Sequence, residues 1–266
     1  MLVFCHANGF PPESYQELFD SLNSMPHSIK LSPLKREFSL ADQQKNWNHF
    51  GDEMIEDLKT HVDNHGPITG VGHSMGAIML LRAAVINPSW FKKIILIDPT
   101  FLPELFVYAS NYLPKFINRK VHPVASKAYR RRDTWSSKNE AFNSFRQKKL
   151  FKEVSDTGLW NYINSVMLEQ ETPDGKKQVT LGYTKKWEEH CFLSVINIWP
   201  LLKKCRVPIV GITGEKSELM TPPIIQRWQR VQPTSEIHTL QQSGHLVAIE
   251  RPKECANIIN KHLAHH

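Results

Sequence analysis

The chain has 266 residues, 41% of them hydrophobic and 22% charged, with a formal net charge of +7. This composition excludes a disordered or fibrous chain and leaves room for one α/β domain with an insertion and a sizeable core. No apolar run reaches the ~18 residues of a membrane span, and Met1 leads into Leu2-Val3-Phe4-Cys5 without a basic flank or a small-residue cleavage site, so a cytoplasmic protein is expected.

Cys5, Cys191, Cys205 and Cys255 lie far apart with no C-x-x-C, which favours buried free thiols over disulfides or a metal site. The positive charge is local. Lys115 to Glu153 holds twelve Lys/Arg against three Asp/Glu, a local +9 that leaves the rest of the chain at −2. Tyr129-Arg130-Arg131-Arg132 and Lys148-Lys149 therefore read as a solvated face of that segment, and nucleic acid is not expected as a partner.

In chain order, Met1 to Cys5 reads as a buried strand followed by a small-residue loop, His6-Ala7-Asn8-Gly9-Phe10. Tyr15, Leu18, Phe19 and Leu22 recur at helical spacing after Pro11-Pro12. Ser28 to Leu31 is a short strand. Ser39 and Asp42 predict a capping-box start to a helix whose Trp47, Phe50, Met54 and Leu58 share one stripe.

Ile68-Thr69-Gly70-Val71 then reads as a strand and Ala77 to Val85 as a helix that stops at Asn87-Pro88. Between them stands Gly72-His73-Ser74-Met75-Gly76, the G-x-S-x-G spacing of a nucleophile elbow in the strand–turn–helix context that the motif requires. A serine in so sharp a turn needs glycine two positions before and after it, because a Cβ at either would strike the flanking strand or helix. Its hydroxyl then stands at the helix N-terminus, where the Met75 N–H can stabilise developing negative charge. The bare reading of the same residues is a tight turn whose serine caps a helix.

Ile94 to Ile97 is a continuous apolar run ending in Asp98-Pro99, as expected for a strand covered on both faces. The alternation of strand and helix predicts a parallel sheet with right-handed crossovers. From Phe101 to Trp199 no convincing apolar β run occurs. Helical stripes take its place: Phe142, Phe145 and Leu150; then Leu159, Ile163, Val166 and Met167. Asp174-Gly175 is a turn, and Trp187-Glu188-Glu189 is helix-prone. Pattern resumes at Pro208 to Ile212, with a helix from Pro222 through Trp228 and a last strand at Ile237 to Leu240. Ser243-Gly244-His245 follows that strand, and a final helix begins near Pro252; His265-His266 close the chain.

Serine, then an acid, then a histidine near the C-terminus is the chain order of the α/β-hydrolase triad. The chain resembles the α/β-hydrolase-fold family, esterase/lipase type, on three stretches: His6 to Phe10 as oxyanion loop, Gly72 to Gly76 as elbow, and Gly244-His245-Leu246 through Glu250-Arg251-Pro252 as histidine segment. The likeness covers residues 1–100 and 200–264. It implies an α/β-hydrolase fold, a mostly parallel sheet flanked by helices, with a core of residues 1–100 and 200–266 and an inserted, mostly helical cap of residues 101–199. The family's hairpin before the first strand is missing here, which implies a sheet smaller by about two strands.

The resemblance implies a serine hydrolase cleaving a carboxylic ester of a small or medium apolar acyl substrate through an acyl-enzyme intermediate. Ser74 is the nucleophile, His245 the base, and the N–H groups of Asn8 and Met75 the oxyanion hole. Such chemistry is all protein, so neither metal nor organic cofactor is expected. For the acid, many relatives carry Asp where this chain has Ser217, and Glu218 is taken as its replacement; Asp98 is the alternative acid and Glu215 a third. Serine at the elbow sets aside epoxide hydrolases and haloalkane dehalogenases, which attack with a carboxylate. Thioester hydrolysis, C–C bond hydrolysis and perhydrolysis use the same residues, and a small-molecule receptor that keeps the hydrolase pocket is a reading of a different class.

Overall fold

Six strands, β1 (Leu2–Cys5), β2 (His27–Ile29), β3 (Ile68–His73), β4 (Phe91–Ile97), β8 (Ile209–Gly214) and β9 (Glu236–Leu240), form a parallel sheet in the order β2-β1-β3-β4-β8-β9. This arrangement comes from a computed structural model that describes residues 1–34, 37–113, 117 and 123–264. Lys115, Arg119 and Lys120 of the basic segment, and His265-His266, lie outside the described residues.

The strands read as unbroken apolar runs because both faces of the sheet are covered. Along β1 and β4, side chains alternate between two cores. Val3, Cys5, Ile94 and Leu96 pack with Phe50, Met54, Leu58 and the helix Met75–Ile86 on one face. Leu2, Phe4, Ile95 and Ile97 pack with Tyr15, Phe19, Ile249 and Ile259 on the other. The helix Met75–Ile86 is itself apolar except for Arg82, with Ala77 through Leu81 fully buried. Each such Leu or Ile contributes about 1.5–3 kcal/mol relative to exposure. A helix of this kind has only one place to go, the middle of the sheet, and it carries the elbow there.

Several local expectations hold and others shift. The helix after Pro11-Pro12 is short, a 3₁₀ turn Pro12–Tyr15 running into Gln16–Asp20. The helix carrying Trp47, Phe50, Met54 and Leu58 starts at Trp47 and not near Ser39: Asn46 is its N-cap, with His49 completing the reciprocal box. Ser39 and Asp42 do bond to each other, but they open only the 3₁₀ turn Asp42–Gln44. Lys45 then turns extended, so the chain restarts its helix two residues later, at Trp47.

Among the described residues, 101–199 add no strand to the parallel sheet. They hold the helices Glu104–Tyr112, Pro123–Arg130, Lys138–Arg146, Asp156–Val166 and Lys185–Leu193. They also hold a small antiparallel sheet absent from the sequence reading, β5 (Thr134–Trp135), β6 (Met167–Glu171) and β7 (Lys177–Leu181), in the order β5-β7-β6. Its strands are short and largely polar, Met-Leu-Glu-Gln-Glu and Lys-Gln-Val-Thr-Leu, so no apolar run announces them. The Asp174-Gly175 turn falls where expected, joining β6 to β7 with Gly175 at φ 77°.

Candidate active site

The sharp turn at Ser74 is real: φ 54°, ψ −115°, between β3 and the helix that begins at Met75. Few non-glycine residues occupy that region, and the strain persists because neighbours lock it. Ser74 N–H donates to the Ile97 carbonyl at 2.9 Å. A Cβ on Gly76 would overlap the Cys5 and His6 carbonyls, and one on Gly72 would meet the Ala77 backbone at 2.7 Å. The glycines are there because β1 and the helix pass that close.

Three side chains meet in a line. Ser74 Oγ is 2.9 Å from His245 Nε2, and His245 Nδ1 is 2.7 Å from Asp98 Oδ2. A carboxylate only accepts, so Nδ1 carries the proton and donates; Nε2 is then the acceptor for the Ser74 hydroxyl. Thr100 Oγ1, 3.1 Å from Ser74 Oγ, is a further hydroxyl at the nucleophile that the sequence reading missed. Ser74 is 7% exposed.

The carboxylate facing the imidazole is therefore Asp98 and not Glu218. Glu218 points outward, its side chain 80% exposed and its Oε1 2.6 Å from Lys149 Nζ. Glu215 is also exposed and accepts from Gln242 N–H at 2.9 Å. The physical reason is at the end of β4. Asp98 N–H still bonds to Ile212 O, but its φ of 38° breaks the strand and swings the fully buried side chain over β8. There Oδ1 accepts from Gly214 N–H at 3.0 Å and Oδ2 from the Ser217 hydroxyl at 2.6 Å. Ser217, the position at which the resemblance looks for an acid, holds the acid instead.

The remaining loops are braced by buried histidines. His73 Nε2 is 2.8 Å from His245 O, and its Nδ1 is 2.8 Å from Tyr15 Oη, which in turn accepts from Ala7 N–H at 3.1 Å. One proton arrangement satisfies all three: His73 Nε2–H donates to the carbonyl, and the Tyr15 hydroxyl donates to Nδ1. Burial, reinforced by His245, pushes His73 down to about 3, so it stays neutral. His6 is pushed down to about 4, again chiefly by burial; its Nε2 accepts from Leu31 N–H and its Nδ1–H donates to Ala7 O. Elbow, histidine loop and first loop are thus tied side chain to backbone. On the far side of His245, Gly244 N–H donates to Glu250, whose own proton affinity burial raises.

Asn8 and Met75 come to the same end of the sheet. Met75 is the first residue of its helix, so its N–H has no carbonyl within the helix to bond. Asn8 lies in a turn closed by Phe10 N–H on Ala7 O, with Gly9 at φ 73°. Among the described residues, two histidine–carboxylate groups elsewhere have the proximity a metal needs, His27–Asp57–His61 and Glu236–His238–His262, and neither shares a residue with the Ser74 line.

A parallel sheet with a strained serine at the end of a central strand, faced by histidine and a buried carboxylate, is the arrangement of the α/β hydrolases. The chain belongs to the alpha/beta hydrolase family, which it matches over residues 2–258. It is 25% identical over 204 residues to the uncharacterized hydrolase YugF of Bacillus subtilis, covering 73% of this chain and 63% of that protein, so it spans less than two-thirds of that relative's length. Among solved structures, the peroxisomal alpha-beta-hydrolase Lpx1 of Saccharomyces cerevisiae superposes with a TM-score of 0.77 at 17% identity, over 98% of this chain and 75% of that one. An esterase of Mycobacterium tuberculosis does so with a TM-score of 0.71 at 15% identity, over 99% and 83%. No described helix is long and apolar enough to cross a membrane.

Proposed function

We propose that the protein is a serine hydrolase that cleaves carboxylic esters through an acyl-enzyme intermediate. The observation that carries this reading is the unbroken line Ser74 Oγ–His245–Asp98, at 2.9 and 2.7 Å, with the imidazole proton fixed on the side away from the serine. His245 Nε2 takes the Ser74 proton as Oγ attacks the ester carbonyl. The N–H groups of Met75 and Asn8 receive the oxyanion, Asp98 stabilises the imidazolium, and Nε2–H passes its proton to the leaving alcohol. Water, activated by the same nitrogen, then frees the acid. Membership of the hydrolase family and the likeness to an esterase fold support the reaction class.

Residues 101–199 act in this reading as a lid on the site. Phe10 in the first loop packs on Tyr162 at 4.8 Å and on Phe151 at 6.0 Å, and Tyr183 Oη presses on Gly9. Those rings supply an apolar wall for a small or medium acyl chain. Labelling with a fluorophosphonate, together with turnover of activated esters, tests the assignment. Wild type is expected to label and turn over, and Ser74→Ala to do neither while keeping its fold; turnover that survives in Ser74→Ala overturns it.

A further inference from the structure

The basic stretches that sequence places on a solvated face divide in the structure. Tyr129, Arg130, Arg132 and Lys149 are exposed. Arg131 and Lys148 turn inward, the Arg131 side chain to 13% exposure. Arg131 lies over the Tyr183 ring, 5.1 Å from its centroid, and its Nε pairs with Glu188 Oε2. That contact occupies Nε, while Arg131 Nη2 is buried without a hydrogen-bond acceptor. Leaving a charged donor unsatisfied costs more than the roughly 1–3 kcal/mol of a neutral group, so Nη2 has room for a second acceptor beside Glu188. Lys148 Nζ sits 3.6 Å from the Phe145 ring centroid, and burial, with Arg131 beside it, lowers its proton affinity to about 8.

The location gives this cluster a purpose. Tyr183 Oη is 3.2 Å from Tyr162 Oη, and a Cβ added to Gly9 would lie 2.7 Å from Tyr183 Oη. Beside Gly9, the Asn8 side chain has both Nδ2 and Oδ1 buried with no partner. Unsatisfied polar atoms thus flank the tyrosine pair: the Asn8 amide beside Gly9 at the oxyanion loop, and Arg131 Nη2 of the guanidinium over the Tyr183 ring. A ligand that satisfies both is polar at both ends with an apolar stem between. Two cations against the one carboxylate of Glu188 leave a single positive charge, which suits a carboxylate and not a dianionic phosphate.

We propose that Arg131 and Lys148 form an anion subsite that selects acyl groups ending in a carboxylate, so that the preferred substrates are monoesters of dicarboxylic acids. This rests on the hydrolase reading above and extends it to the substrate class. Arg131 supplies the fork that orients the carboxylate, Lys148 adds charge, and Glu188 keeps Arg131 from swinging outward.

The test compares kcat/KM on the monophenyl esters of glutaric and adipic acids with that on phenyl pentanoate and phenyl hexanoate. Wild type is expected to favour the carboxylate esters by about tenfold or more, a difference of ~1.4 kcal/mol. Arg131→Gln and Lys148→Gln should each reduce kcat/KM for the carboxylate esters at least tenfold more than for the neutral ones, mostly through KM. Lys149→Gln, exposed beside them, should leave the ratio as in wild type. A wild-type preference for neutral esters, or equal losses on both series in the two variants, overturns the subsite and leaves Arg131–Glu188 as a structural clip. If Arg131→Gln does not fold, Lys148→Gln carries the same comparison. Calorimetric titration of glutarate into Ser74→Ala separates the two readings. Binding that Lys148→Gln weakens, in a protein whose wild type does not label with fluorophosphonate, sinks the hydrolase and keeps the subsite. Labelling with neither glutarate binding nor carboxylate preference sinks the subsite alone.

Discussion

Replacing Asp98 with Asn tests the site at its most informative atom. Asp98 Oδ1 accepts the Gly214 N–H at 3.0 Å, while Oδ2 faces both the Ser217 hydroxyl and His245 Nδ1. An asparagine must keep its oxygen toward Gly214, because the opposite flip sets two N–H donors against each other in a fully buried place. Its NH₂ then points at Nδ1 and forces that nitrogen to accept, so the ring proton moves to Nε2. An Nε2–H cannot take the Ser74 proton. Loss of the comparable carboxylate in a Ser-His-Asp triad reduces kcat about 10⁴-fold, or ~5.5 kcal/mol at 1.36 kcal/mol per decade, and on the proposed function that is the expected loss here. Glu218→Gln, which frees only an exposed pair with Lys149, should stay within about twofold. Steady-state turnover of an activated ester by both variants, checked for folding by circular dichroism, gives the answer. Asp98→Asn retaining a tenth of wild-type kcat, or Glu218→Gln losing more than it, refutes the reasoning.

Ser217→Ala removes a donor to Asp98 and the acceptor of the Leu219 and Met220 N–H groups; urea titration should show a loss of about 1–3 kcal/mol, with kcat reduced only several-fold. His6 and His73 are depressed to about 4 and about 3, so the unfolded chain takes up protons that the folded one refuses. Their stabilisation is complete above the unfolded value near 6.5 and fades as pH falls below it, by about 2 kcal/mol per histidine at pH 5. The urea midpoint should drop accordingly between pH 7 and pH 5, and an unchanged midpoint would contradict neutral buried rings. Gly76→Ala drives a methyl into the Cys5 and His6 carbonyls and should destabilise by about 3 kcal/mol or more, read as a fall in Tm; a loss below 1 kcal/mol would mean the approach is looser than described.

The meeting of Ser74 and His245, at 2.9 Å, was foreseeable from the sequence because their signals are local: glycine spacing between an apolar strand and helix, and a glycine–histidine loop after the last strand. The carboxylate that faces His245 was not, because chain order leaves Asp98, Glu215 and Glu218 all admissible. What separates them is a backbone angle at Asp98 and a register between β4 and β8, neither written in residue types. Tyr15 and His73 illustrate another limit. Tyr15 reads as one more apolar residue on a helical stripe and His73 as the variable position of a motif, yet they form one buried relay. The basic segment misled in the same way, since a run of arginines gives no hint of which one turns inward.

The meeting of Asp98 and Ser217 at 2.6 Å has a consequence for how such a site drifts. The two residues leave neighbouring strands, β4 and β8, yet their side chains converge beside one imidazole nitrogen. The sheet thus provides two addresses for a single negative charge. A carboxylate gained at position 217 while Asp98 remains would share one proton with it, as close carboxylates do, and the imidazole would keep an acceptor throughout. Loss of Asp98 afterwards would complete the transfer. Neighbouring strand ends make the acid portable in a way that the serine, locked in its strained turn between β3 and the central helix, can never be.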